Sequence, residues 1–185
     1  MKKFTFFLAA MLAFAFTAGA QIYKGIKNEV SFYSDAPLED ITAKDTIATL
    51  ILNGKSGTVI ADIRIKGFVF PNPLMQEHFN ENYMESDKFP KGSFMGKINE
   101  PVDYTKDGTY TVSVTGTLTI HGVAQQRTLS NIKLVVKGNT VNVDFKFDVK
   151  LADHKITVPS AVGQKIAEVI SVTVHSEMIA DAPKK

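Results

Sequence analysis

Apolar and polar residues alternate with a period of two along most of this chain, the pattern of strands with one buried and one wet face. The cleanest run is VNVDFKFDVKL: Val141, Val143, Phe145, Phe147, Val149 and Leu151 share one side, and Asn142, Asp144, Lys146, Asp148 and Lys150 the other. YTVSVTGTLTI follows the same rule, with Val112, Val114, Leu118 and Ile120 opposed by Thr111, Ser113, Thr115, Thr117 and Thr119. In VIADIRIKGFVF, Val59, Ala61, Ile63 and Ile65 oppose Asp62, Arg64 and Lys66, and Gly67 then interrupts. A β-bulge at Gly67 would bring Phe68 and Phe70 to the apolar side. Weaker strands are read at 29–34, 47–52, 131–137 and 169–178, separated by turns at Asn53-Gly54, Lys106-Asp107-Gly108, His121-Gly122 and Gly138-Asn139. This alternation predicts an antiparallel sheet, wet outside and apolar inside.

One stretch has a different period. From Pro71 to Ser86, Met75, Phe79 and Tyr83 recur at i, i+4 and i+8 with Leu74 and His78 beside them, which predicts a short helical insertion over about 71–86. Placed between two strands, it would cross a barrel end as a lid or plug. SAVGQKIAE, after Pro159, reads equally as a second short helix or a loop. About eight strands and one crossover predict an all-β fold, a single eight-stranded antiparallel barrel; closure would remove the exposed edges that a sheet without disulfides must otherwise protect. A sandwich has the same periodicity. An eight-stranded barrel is either filled by its own side chains or holds one small ligand.

Composition sharpens this. The chain has no Cys, which excludes a disulfide scaffold, a thiol nucleophile, a zinc–thiolate site and an iron–sulfur cluster. Its net charge of +2 is accounted for by Lys2 and Lys3 alone. These open a basic stretch followed by an apolar run from Phe4 to Phe16 and the small-x-small triplet Ala18-Gly19-Ala20, the layout of a secretory signal. The run is shorter than the roughly 17–25 residues that cross a bilayer. Residues 1–20 are therefore expected to be removed, leaving 21–185 as one periplasmic or secreted domain with no integral membrane segment. Charge balance after Gln21 gives no basic patch for nucleic acid.

Two longer blocks carry a resemblance. LMQEHFNENYMESDKFPKGSFMGKI (74–98) and GTYTVSVTGTLTIHGVAQQRTL (108–129) resemble the YceI-like family of polyisoprenoid-binding proteins. The family block ESDKYP-x-x-x-F-x-G is matched by Glu85 to Gly96, with Phe89 where tyrosine is frequent, and the block G-x-L-T-I-H-G-V by Gly116 to Val123. Val158, Pro159, Ile166, Val172 and Val174 match its closing portion, so the similarity runs from about Val30 to Met178, while the segment before Ile60 departs from the better-known members. The resemblance implies a lipocalin-like barrel, exported to the periplasm, that holds the hydrocarbon chain of an isoprenoid or related amphiphile.

The residues themselves offer little catalytic chemistry. Of the four histidines, His78, His121, His154 and His175, no two share a short metal-ligand spacing. His78 with Glu77 and Glu81 forms either a solvated helix face, a polar ligand mouth or a weak metal site, in that order. His121 reads as a turn residue, and His154 receives no role. No nucleophile elbow, S-x-x-K motif or phosphate loop is present. The excess lies in 13 Phe. Phe and Met are adaptable apolar surfaces suited to a hydrocarbon chain. The expected ligand-binding set is Ile63, Ile65, Phe68, Phe70, Met75, His78, Phe79, Tyr83, Met84, Phe94, Val114, Leu118, Ile120, Phe145 and Phe147. An eleven-residue strand such as 141–151 spans about 36 Å, enough to house a long chain lengthwise. The reading is a non-enzymatic carrier or store for an isoprenoid or other long-chain amphiphilic lipid, with no catalytic residue, metal or cofactor, and with monomer and homodimer both open. The alternatives are a barrel enzyme using His78 with Glu77 or Glu81, and a solidly packed stress protein.

Overall fold

The computed structural model describes residues 21–159 and 166–181. The expected signal segment and most of the ambiguous stretch after Pro159 lie outside them. Among the described residues, nine antiparallel strands follow one another: β1 (Ile22–Asp35), β2 (Asp40–Asp45), β3 (Thr49–Asn53), β4 (Thr58–Arg64), β5 (Lys91–Ile98), β6 (Gly108–Ile120), β7 (Val123–Lys137), β8 (Thr140–Lys150) and β9 (Val169–Ala180). Their order is β2-β1-β3-β4-β5-β6-β7-β8-β9, and β9 pairs back onto β1. Eight strands thus close a barrel, and β2 is added outside the ring.

β1 makes this possible by changing partners. Its start pairs with β3 (Ile22 to Lys24 opposite Asn53 to Ile51), and its second half, from Val30 to Asp35, pairs with β2. The change falls at a bulge between Gly25 and Lys27. There the buried Asn28 donates through Nδ2 to the Ala48 carbonyl at 2.8 Å and accepts the Ser176 hydroxyl at 2.6 Å. One side chain thus satisfies backbone and side-chain groups that the interrupted ladder leaves inside.

Two strands were not legible as strands. β5, KGSFMGKI, turns Gly92, Phe94, Gly96 and Ile98 toward the core side, and two of the four are glycines that carry no hydrophobic signal. The glycines are needed for approach: Gly96 pairs with Gly116, and a Cβ on Gly116 would lie 2.3 Å from the Met95 carbonyl oxygen. β2, DITAKD, is masked by its acids, and it buries Asp45 completely. The expected bulge at Gly67 is replaced by something tighter. β4 ends at Arg64, and Ile65–Gly67 forms one 3-10 turn that carries Phe68 and Phe70 inward, each 7% exposed. A Cβ on Gly67 would meet Asp45 Oδ2 at 2.6 Å, so β2 closes down on this turn.

The barrel is filled at one end. Tyr23, Leu52, Ile98, Tyr104, Val112, Val136, Val141 and Met178 are all buried there, with the Tyr23 and Tyr104 rings 5.4 Å apart. Neither hydroxyl has a partner among the described residues. Burial pushes the Tyr104 phenol up to about 12 and raises that of Tyr23. A phenol harder to ionise folded than unfolded contributes stability that is complete below pH 10 and is lost as pH rises toward 12, because the unfolded chain releases its proton first. Tyr104→Phe is expected to flatten the fall in Tm between pH 10 and 12 and to hold neutral-pH stability level or raise it by up to about 1 kcal/mol, since no hydrogen bond is lost. Thermal unfolding of both proteins across that range checks this.

Candidate functional site

The other end is hollow. A cavity of about 430 Å³ is lined by Val30, Phe32 and Ser34 of β1, Ile63 of β4, Gly92 and Ser93 of β5, Leu118 and Ile120 of β6, Phe147 and Val149 of β8, and Ile170 and Val172 of β9. These positions are the late residues of β1, β4, β6 and β8 and the early ones of β5 and β9, which antiparallel pairing brings to one rim. The volume falls within the roughly 300–1,000 Å³ usual for a small-molecule site. It does not run the length of the barrel as the strand length had suggested, because Tyr23 and Tyr104 with their neighbours occupy the far end.

The helical insertion forms its cover. Asn72 caps it by accepting the Leu74 N–H at 2.9 Å, Pro73 opens the short helix α1 (Pro73–His78), and the chain continues through a π-helical turn, Phe79–Tyr83, closed by the Met84 N–H donating to the Phe79 carbonyl at 2.9 Å. Met75, Phe79, Tyr83 and Met84 all line the cavity. Phe79 is the centre of an aromatic cluster, with ring centroids 5.5 Å from Phe32, 5.7 Å from Phe68 and 5.0 Å from Phe70. Below it, Ile65, Met84 and Ile156 form a small buried cluster at the base of the cover.

Of the expected ligand-binding residues, Ile63, Ile65, Phe68, Phe70, Met75, His78, Phe79, Tyr83, Met84, Leu118, Ile120 and Phe147 come together around this cavity. Phe94 and Val114 do not: both are buried in the filled core. Phe145 packs half-buried against that core, its ring 5.7 Å from Phe147. All three have the inward parity, and what separates them from the lining residues is height along the barrel axis, which parity does not encode. The sequence reading missed Phe32, Val30, Ile41, Val149, Leu151, Ile156, Ile166, Ile170 and Val172. Val149 and Leu151 share the parity of Phe147 and were legible as inward. His78 lines the cavity, whereas Glu77 and Glu81 line a separate outer groove with Lys66, Pro73 and Gln76, so the three do not form one constellation. Among the described residues no group of three or more His, Asp and Glu is placed to hold a metal.

His121 does more than turn the chain. Its backbone is left-handed (φ 51°), its Nε2 lies 2.9 Å from Glu85 Oε2 and its Nδ1 3.3 Å from the His154 carbonyl. Phe89 packs edge-on against its ring at 4.4 Å. The next residue, Gly122, also has positive φ, and a Cβ there would meet the Phe89 ring at 2.6 Å. The end of the cover, the β6–β7 turn and the 3-10 turn Leu151–His154 are thereby tied together at one corner, and His154 itself is fully buried with Nδ1 3.1 Å from the Val123 carbonyl. The two sequence blocks that carried the resemblance, 85–96 and 116–123, meet here and in the β5–β6 pairing. They also contribute Gly92, Ser93, Leu118 and Ile120 to the cavity wall.

A model of the YceI-like domain matches residues 24–178. The chain belongs to the YceI-like family. No curated protein matches it in sequence. Among solved structures, the YceI-like chain is similar to a polyisoprenoid-binding domain from Saccharophagus degradans implicated in plant cell wall breakdown (TM-score 0.70, 13% identity, covering 86% of this chain and 98% of that one). It is also similar to BcnA of Burkholderia cenocepacia (TM-score 0.67, 16% identity, 81% and 95%) and to the YceI protein of Campylobacter jejuni (TM-score 0.50, 18% identity, 75% and 81%). At these identities the structural likeness establishes the YceI-like fold.

Proposed function

We propose that this domain is a non-enzymatic binding protein that holds the hydrocarbon chain of an isoprenoid or similar long-chain amphiphile in its hollow end, and that it does so after export to the periplasm or cell exterior. The observation that carries the reading is the apolar cavity beneath a Phe- and Met-bearing cover. Membership of a family with a polyisoprenoid-binding relative supports the ligand class. The Ala18-Gly19-Ala20 triplet supports export. A solidly packed barrel would have no such space.

Magnitudes favour long chains. Each buried methylene contributes about 0.8 kcal/mol, so roughly fifteen contribute about 12 kcal/mol. Ordering and immobilisation cost about 4–15 kcal/mol, which leaves short chains without a surplus. Native mass spectrometry of protein purified without detergent from its own host, followed by lipid extraction, tests the reading. The expected result is an adduct that dissociates to a long-chain lipid, on a protein beginning near Gln21. Protein that carries no lipid and takes up no added isoprenoid would overturn it.

A further inference from the structure

The cavity is apolar in its depth but carries a carboxylate at its rim. Glu39, at the tip of the hairpin joining β1 to β2, lines the cavity together with His78 at the end of α1. Its side is only partly exposed. Other acids, Asp181, Glu29, Asp87, Glu85 and Asp103, are paired with lysines, but Glu39 is in no ion pair among the described residues. Of the other polar groups lining the cavity, Ser34 Oγ accepts the Ala167 N–H at 2.9 Å and Asn72 Oδ1 accepts the Leu74 N–H, and Tyr83 and Ser93 contribute neutral hydroxyls, so Glu39 is the one carboxylate among the described lining residues. No Lys or Arg is among the described residues that line the cavity. Asp35 and Asp40, opposite each other across the same hairpin, add to the negative potential at the tip.

An ionised carboxylate accepts hydrogen bonds and donates none. Half-removed from water beside apolar surface, it is stabilised by a donor and destabilised by a second anion, whose repulsion is weakly screened there. We infer that Glu39 selects the head of the ligand: the site takes a long-chain amphiphile whose head donates a hydrogen bond and is not anionic, such as an alcohol, primary amide or amine, and rejects phosphates and carboxylates. This deepens, and rests on, the hydrocarbon-binding reading above.

The test compares geranylgeraniol, geranylgeranylamine and geranylgeranyl phosphate, which share one chain, by displacement of Nile red from delipidated protein. The parent is expected to bind the alcohol and the amine about tenfold or more tighter than the phosphate. Glu39→Gln should bring the alcohol and phosphate within about threefold, and Glu39→Lys should reverse their order, each ratio being taken within one variant so that any change in its Nile red affinity cancels. Equal binding of alcohol and phosphate by the parent, or a ratio that survives both substitutions, overturns the role of Glu39. So does a ratio that collapses with His78→Gln and not with Glu39→Gln. If none of the three displaces Nile red and none is taken up in native mass spectra, the hydrocarbon reading itself fails and the head preference with it.

Discussion

Phe147→Asp is expected to abolish retention of a long-chain lipid, and Lys146→Asp to leave it unchanged. The two residues are neighbours on β8, and only the pleat separates them: Phe147 lines the cavity, while Lys146 is exposed on the outer face. An aspartate at 147 would place a charge without a partner against Val149, Val172 and the hydrocarbon, a cost of several kcal/mol that is met by losing the ligand, the fold or both. Circular dichroism separates these outcomes, and Nile red uptake reads the site. Equal tolerance of both substitutions would show that the interior and exterior faces have been assigned wrongly.

Phe79→Ala should release lipid faster and lower Tm together, because the ring belongs to both the cover and the four-ring cluster with Phe32, Phe68 and Phe70. Removing a core phenylalanine costs about 3–5 kcal/mol, and the partial exposure of Phe79 puts it near the lower figure. For a domain of this size about 3 kcal/mol corresponds to a fall in Tm of about 6–12 °C. Phe94→Ala provides the contrast. It lies in the filled part of the barrel, so it should lower Tm by a similar amount and leave the off-rate of the ligand within about twofold of the parent once folded protein is compared. His78→Ala should change off-rate less than Phe79→Ala if the chain, and not the head, supplies most of the affinity. Stopped-flow dilution of loaded protein into vesicles gives all the rates.

How much of this was legible in the sequence follows the physics of each element. β6 and β8 were plain because each strand has a clean wet face and a clean dry one. β5 and β2 were not. In β5 the inward positions include glycines selected for close backbone approach, and in β2 the inward set ends in the buried acid Asp45. The insertion was read from the spacing of Met75, Phe79 and Tyr83, and the π turn keeps all three on the cavity side. Most of the expected lining residues do surround the cavity, since inward parity limits where they can point. Phe94 and Val114 fell outside because no local pattern tells which end of a barrel is filled. That depends on Tyr104, from a loop remote in sequence, meeting Tyr23. His121 looked like a turn residue, and the turn is real. Its contacts with Glu85 and with the His154 carbonyl join segments 36 and 33 residues away, which no local window contains.

The central claim is positional: the hydrocarbon lies under the cover at the hollow end. It is tested most directly by photolabelling with a geranylgeraniol analogue that carries a diazirine at the chain terminus, followed by peptide mapping of the crosslinks. The account predicts labels on Phe32, Phe68, Met75, Phe79 or Phe147, and their loss when unlabelled geranylgeraniol is added. Competable labels concentrated on Tyr23, Tyr104 or Val112, or on the exposed outer face at Lys146, would contradict it.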